Sequence, residues 1–301
     1  MSEVLAMLNL DDSPWTPSGT HPAATLVDPA SAQLSPRDQG ILRGDGIFET
    51  IFWDHGQLRQ YDLHMTRLER SAMITGIMLP PREQFDAAVQ QALDAYDFSK
   101  QDGVVPDELQ VKIVVTRGYA PENPSGNAWV SVFPVGLQLR AQGPQKVSLL
   151  NRGFDSAAAE KYPWLLLGAK TLSYATNMAG AREAARRGSY DALFVTSDDY
   201  ILEGPTSSFV LAKDHRLVTP RADIGVLPGT TQRALFAEAQ KAGWDVEERP
   251  VKIEELYGAD SAWLTSSARL LVQINATDEA SVKADPALHE EMLRLLLSFP
   301  E

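Results

Sequence analysis

The chain has 301 residues, 44% of them hydrophobic, enough apolar material for one large or two ordinary domains and too much for a disordered chain. Its 27 Lys and Arg against 40 Asp and Glu give a formal net charge of −13. That balance disfavours nonspecific binding to nucleic acid or to an anionic membrane, and an anionic small molecule would need a local basic pocket. Without cysteine there is no disulfide, thiolate metal site or cysteine nucleophile, and the five histidines (His21, His55, His64, His215, His289) lack metal-ligand spacing, so no metal is expected. The start, MSEVLAMLNLDDSPW, lacks a basic n-region and a long apolar core, and no apolar run approaches about 20 residues. A cytoplasmic protein with neither signal peptide nor membrane span is expected.

Residues 1–25, rich in Pro, Ser, Thr and Asp, read as an arm. GDGIFETIFW and QLRQY, separated by DHG, predict two strands joined by a turn. DLHMTRLERSAMITG has apolar residues at helical spacing, with Asp62 as N-cap and Gly76 as stop. PPREQFDAAVQQALDAYDF predicts a second helix opened by proline. ELQVKIVVTRG and NAWVSVFPV are strong β runs. Residues 139–163, with Gly143, Pro144, Gly153 and Pro163, predict a domain connection around a strand KVSLLN. Beyond it come a helix (NMAGAREAARRG), strands at YDALFVTS, ILEG and SSFVLA, and a helix opened by PGTT. Strands at DVEERPV, SAWLTSS and LLVQI follow, then a closing helix, DPALHEEMLRLLLSF. The order lacks regular βαβ alternation, so the fold class is α+β. The expected divisions are an N-terminal α/β domain at 1–140, a connection at 141–163 and a larger, β-rich C-terminal domain at 164–301.

Lys170 raises the first chemical question, because it follows the run WLLLGA. A lysine there either snorkels to water or sits against apolar walls, where a larger neutral fraction makes it a nucleophile. Glu203 ends a strand and precedes GPTSS. A carboxylate there is a solvated turn residue, or it keeps a pyridine nitrogen protonated. Gly229, Thr230 and Thr231 open a helix whose unpaired N–H groups favour a phosphate, or simply cap it. Ser266 and Ser267 end an apolar strand. Arg67 on its helix is either a surface residue or a fork for phosphate. Arg269 is either a carboxylate ligand or one half of an ion pair.

In their order these segments resemble the fold-type IV pyridoxal-phosphate (PLP) enzymes, which include branched-chain aminotransferases, D-amino-acid transaminases and 4-amino-4-deoxychorismate lyases. The resemblance covers about residues 25–280. It rests on RGDGIFET (43–50), HMTRLERSA (64–72), VVTRG (114–118), GAKTLSYATNMAGAREAARRGSYDALFV (168–195), YILEGPTSSFVL (200–211), VLPGTTQRAL (226–235) and LTSSARLL (264–271). It implies a two-domain, D-amino-acid-aminotransferase-like fold, pyridoxal 5′-phosphate as cofactor, a small-molecule amino substrate and a homodimer. It implies that Lys170 is the Schiff-base lysine and proton shuttle and that Glu203 pairs with the pyridine nitrogen. Arg67, Thr230, Thr231 and Ser267 would then bind the phosphate, and Thr206 and Ser207 would line the cofactor.

RGDGIFET resembles the lyase and D-amino-acid branches more than the branched-chain branch, and LTSSARLL resembles many lyase-like sequences, although Leu270 stands where many of those have glycine. The Arg-x-His pair of D-amino-acid transaminases is missing from TRGYAPENPSGN. The resemblance therefore implies a lyase giving 4-aminobenzoate and pyruvate on the folate route, with an aminotransferase of D- or branched-chain amino acids as the alternative.

Overall fold

The computed structural model describes residues 3–10, 23–31, 33–99, 104–119, 126–137 and 143–299. Its contacts divide into two compact units: Met1–Leu139 with Ala169–Tyr174 and Glu301, and Arg140–Gly168 with Ala175–Pro300. Lys170 thus groups with the N-terminal unit, whereas the sequence reading placed it in the stretch 164–301. Helices plus sheets in both units give the expected α+β class.

The first unit contains β1 (Val4–Leu8), β2 (Ala24–Val27), α1 (Gln39–Arg43), β3 (Gly46–Asp54), β4 (Gln57–Leu58), α2 (Tyr61–Thr75), α3 (Arg82–Asp94), β5 (Val104–Thr116) and β6 (Asn127–Gly136). The strands form an antiparallel sheet in the order β2-β1-β6-β5-β3-β4. The expected N-terminal arm is corrected here: β1 pairs with β6, and Ala6 and Leu8 enter the core. The rest of that arm, residues 11–22, lies outside the described residues. Alternation along β3 and β5 sends Ile47, Ile51, Val111, Ile113 and Val115 to the core side, where Met65 and Leu68 of α2 and Phe85 and Val89 of α3 join them. Gly76 ends α2 in the left-handed region at φ 64, as expected. Asp62 does not cap α2: Gln60 is the N-cap, and Asp62 forms an ion pair with Arg82.

The second unit contains β7 (Gln145–Asn151), α4 (Ala158–Lys161), α5 (Ala175–Arg186), β8 (Asp191–Val195), β9 (Tyr200–Ile201), β10 (Ser208–Lys213), β11 (Arg216–Thr219) and α6 (Thr230–Lys241). It continues with β12 (Asp245–Glu248), β13 (Val251–Lys252), α7 (Ile253–Gly258), β14 (Ser261–Ser266), β15 (Leu270–Ala276) and α8 (Pro286–Leu297). The sheet order is β12-β11-β10-β14-β15-β7-β8-β9-β13. β7, expected inside a connection, lies parallel to both β15 and β8 and is interior to the sheet. Both faces of the central strands are covered. Phe209, Leu211, Ala262 and Leu264 belong to one buried cluster, and Val210, Ala212 and Trp263 join α6 and α8 in another. That is why SFVLA and SAWL read as unbroken apolar runs.

The sequence reading missed β11. It follows β10 through Asp214 and His215, both at positive φ (48 and 61), a two-residue hairpin turn without the Asn-Gly signal. Leu270, at φ 57, follows the turn that joins β14 to β15, a backbone state that glycine adopts without strain. The run Trp164–Leu166 is exposed, with Trp164 at 70%. No helix among the described residues is long and apolar enough to cross a membrane.

Asp38 is a buried junction in the first unit. Its carboxylate accepts from Gly40 N–H (2.7 Å), Thr116 Oγ1 (2.7 Å) and Asn127 Nδ2 (2.6 Å), tying the start of α1 to the ends of β5 and β6. Asp38→Ala leaves these donors unpaired and is expected to destabilise the protein by about 3 kcal/mol. Urea unfolding checks this, and an unchanged midpoint would show the junction to be dispensable.

Candidate active site

Backbone hydrogen bonds bring Lys170 to its place. The segment Ala169–Tyr174 lies along the edge of β3 that β5 leaves open. Phe48 N–H donates to Lys170 O (3.0 Å), Leu172 N–H donates to Gly46 O (2.8 Å), and Lys170 N–H donates to Ser71 Oγ on α2 (3.0 Å). The half-buried Lys170 side chain sets its Nζ 4.5 Å from the Phe48 ring centroid and 3.4 Å from Tyr174 Oη. Tyr174 meets Phe48 edge-on at 5.2 Å. Because the run Trp164–Leu166 is exposed, the aromatic surroundings of Lys170 within its unit come from Phe48 and Tyr174, which the sequence reading did not single out. Ring faces attract the ammonium, each contributing about 1 kcal/mol.

Arg67 belongs to the same unit and is nearly buried. Its Nε donates to Glu49 Oε1 (2.7 Å) and its Nη2 to Glu49 Oε2 (2.6 Å). His64 Nδ1 lies 2.7 Å from Glu49 Oε2, and both His64 and Glu49 are fully buried. Burial raises the Glu49 pKa, but the Arg67 charge and hydrogen bonds, with help from His64, outweigh it and hold the carboxyl at about 2. Burial pushes His64 below its ordinary imidazole range; Glu49 raises it, and Arg67 and Lys170 lower it. Glu49 therefore fixes the plane of the guanidinium. Its signal in the sequence is alternation: Glu49 lies between Ile47 and Ile51 on the core-facing side of β3.

The other expected residues lie in the second unit. Both carboxylate oxygens of Glu203 share the Leu227 N–H at 3.2 Å, and Glu203 O accepts from Phe194 N–H (2.9 Å). Thr206 is exposed and accepts from Arg269 Nη2 (2.9 Å), while Arg269 Nη1 pairs with buried Asp191 (2.6 Å). Arg269 is thus one half of an ion pair that braces the 204–207 turn.

Ser207 Oγ, Thr231 Oγ1 and Thr265 Oγ1 are buried without a hydrogen-bond partner. Ser207 precedes β10, Thr265 lies opposite Ser208 on neighbouring β14, and Thr231 opens α6, which packs against both strands. Thr230 is buried beside Thr231, and Ser267 is half-buried in the turn after β14. Gly229 caps α6 without a side chain, and a Cβ there would meet Ser208 Oγ at 2.2 Å. An orphaned buried hydroxyl costs about 1–3 kcal/mol. Thr231 and Thr265 are orphaned beside a helix N-terminus without a side-chain cap, where the oxygens of a phosphate would satisfy them, so these residues fit a phosphorylated cofactor. Thr265 escaped the sequence reading, which took Ser266 and Ser267 from the same run. The segment where an Arg-x-His pair was sought, residues 120–125, lies outside the described residues. Among the described residues, no group of acids and histidines is arranged to hold a metal.

Residues 46–277 match the amino-transferase class IV family. A bifunctional aminodeoxychorismate lyase / D-amino acid transaminase from Mycobacterium tuberculosis is 33% identical over 271 residues, covering 87% of this chain and 91% of that protein. The fold IV-transaminase CpuTA1 from Curtobacterium pusillum superposes with a TM-score of 0.88 at 37% identity over 99% of both chains. A hypothetical aminotransferase from Mycobacterium tuberculosis in its PLP-bound form gives a TM-score of 0.85 at 30% identity, over 99% of this chain and 98% of that one.

Because the folded-state pKa of Glu49 is depressed, its ionised form stabilises the protein above the unfolded carboxyl range. That contribution is lost as pH falls from about 4.5 toward about 2. Glu49→Gln is expected to be less stable than wild type at neutral pH, with the gap closing through this acid window. Urea unfolding across the pH range checks this; a pH-independent gap would exclude the Glu49 charge as its source.

Proposed function

Because the chain belongs to the amino-transferase class IV family and is a PLP-dependent aminotransferase or lyase, we propose that it is a 4-amino-4-deoxychorismate lyase of the folate route, releasing 4-aminobenzoate and pyruvate. The observation that carries this reading is the joint presence of the Lys170 setting on β3, Glu203 on Leu227 N–H and the orphaned hydroxyls around α6 in a chain with lyase-like segments at 43–50 and 264–271. The 33%-identical relative, whose name includes the lyase activity, supports it. That relative's name also supports a second reading, a D-amino-acid transaminase.

Lys170, Arg67, Glu203, Thr206, Ser207, Thr230, Thr231 and Ser267 would hold the cofactor. When bound, pyridoxal phosphate supplies a carbonyl for the substrate amine and an electron-accepting ring. Lys170 Nζ removes the proton from the amino-bearing carbon of the substrate, with Tyr174 Oη beside it to orient the amine. Glu203 would hold a proton on the cofactor's ring nitrogen. In the lyase reaction the bond from the ring carbon to the enolpyruvyl oxygen breaks. Lys170 returns its proton to the departing fragment, which leaves as pyruvate, and aromatisation of the ring makes the step irreversible. The exposed run Trp164–Leu166 is proposed to lie in a homodimer interface.

Purified protein incubated with aminodeoxychorismate is expected to release pyruvate and 4-aminobenzoate without a keto acid acceptor. Complete bleaching of the visible cofactor band by D-alanine or L-leucine, with no pyruvate from aminodeoxychorismate, would establish the transaminase instead. Lys170→Ala is expected to lose the lysine-bound cofactor band, and Glu203→Gln to keep cofactor but lose turnover by orders of magnitude. Borohydride reduction that tags another lysine, or a fully active Glu203→Gln, would overturn those assignments.

Trp164→Glu tests the interface. Sedimentation is expected to show a dimer for wild type and a monomer for the variant, and a monomeric wild type would refute the homodimer.

A further inference from the structure

The turn from Glu203 to Ser207 is held by side chains as well as by its own backbone. Gly204 N–H donates to Ser207 O (2.8 Å) and closes it. Arg269 holds Thr206 from one side. The adjacent residue, Pro205, is held by a side chain that the reaction described above does not use. Asn177, in the first turn of α5, donates through Nδ2 to Pro205 O (2.7 Å). Pro205 is buried, and a proline has no N–H, so its carbonyl is the only backbone group by which it can be gripped.

The amide of Asn177 has one orientation. Arg152 Nη2 donates to Asn177 Oδ1 (3.1 Å), and because a guanidinium only donates and a carbonyl only accepts, Nδ2 must face Pro205. Arg152 is fixed in turn. Its guanidinium carbon lies 4.5 Å from the Phe194 ring centroid, and its N–H donates to Val195 O (2.8 Å). Phe194 N–H donates to Glu203 O (2.9 Å), and Leu202 N–H donates to Phe194 O (2.8 Å). Helix α5 comes close to β8 here because residue 180 is glycine: a Cβ there would lie 2.6 Å from Phe194 Cζ. Arg152 and Phe194 therefore join the side chain that holds Pro205 to the backbone that holds Glu203.

We propose that Asn177 is a positioning residue for the reaction: its bond to Pro205 sets the Glu203 carboxylate and the Ser207 hydroxyl in the places from which they meet the cofactor. The proposal rests on the reading that these two residues face pyridoxal phosphate. Without the Nδ2 donor the Pro205 carbonyl loses its partner, and the two ends of the turn, Glu203 and Ser207, lose a fixed relation to each other.

The test uses the cofactor-loaded protein and its Asn177→Asp, Asn177→Ala and Glu203→Gln variants. Asn177→Asp exchanges one atom. It keeps the acceptor for Arg152, and a carboxylate suits the first turn of a helix, so it removes the donor while sparing stability. Asn177→Asp is expected to lower kcat about 10-fold, the contribution of one hydrogen bond, with KM unchanged. Hydrogen exchange at the Gly204 and Ser207 amides is expected to quicken. NMR of isotopically labelled cofactor is expected to show a weaker hold on the ring-nitrogen proton. Asn177→Ala should do the same and also lower the urea midpoint. Unchanged exchange and an unchanged ring-nitrogen signal in both Asn177 variants overturn the proposal, even where stability falls, because the residue would then be structural alone. If Glu203→Gln leaves the ring-nitrogen signal as in wild type, the reading of Glu203 fails and the proposal with it. If Glu203→Gln moves that signal and Asn177→Asp does not, the Asn177 assignment alone is refuted.

Discussion

The register of β3 is the constraint on which the N-terminal half of this chemistry depends. One face of the strand points Glu49 at Arg67 and His64, and the other presents Phe48 to Lys170 and Lys112. Its open edge hydrogen-bonds the segment that carries Lys170. Because side chains alternate with a period of two, a slip of one residue would send Glu49 to the lysine side and Phe48 into the core. The unbroken pairing of Gly46–Asp54 with Glu108–Thr116 prevents that slip.

Charge in this unit is arranged by burial as much as by pairing. Glu49 is wholly buried yet ionised, because Arg67 and His64 leave its oxygens satisfied. Lys112 and Lys170 each set their Nζ over the face of Phe48. A ring face attracts an ammonium weakly, whereas a bidentate carboxylate holds a guanidinium in one plane.

The second unit uses its sheet as a rigid frame. Strands covered on both faces leave their ends as the place for polar groups, and Ser207 and Thr265 sit there with no internal partner. Arg269 links Asp191 at the start of β8 to Thr206 in the turn before β10, so the 204–207 turn is braced by a nearly buried ion pair. Such rigidity is what a site needs when unpaired hydroxyls must be held apart rather than collapse onto each other.

Much of the molecule was legible in the residues. Periodicity gave α2, α3, α6 and α8, Gly76 marked a helix end, and alternation marked β3 and β5, because these depend on neighbours a few residues apart. The segments carrying Lys170, Arg67 and Glu203 were recognisable by their wording. The role of β1 inside a presumed arm, the hairpin turn without Asn-Gly, the burial of Glu49 and the orphaned hydroxyl of Thr265 were not. Apart from the hairpin, whose turn is local, each depends on a partner far along the chain: β6 for β1, α2 for Glu49, β10 and α6 for Thr265. Nothing local distinguishes the exposed WLL run from a core strand either. By itself the sequence determined most of the elements, the family and the candidate chemistry. Tertiary structure alone decided that Lys170 lies against β3, that Arg67 is pinned by a buried acid and that Lys112 shares its ring, because backbone pairing and burial join residues that no spacing rule connects.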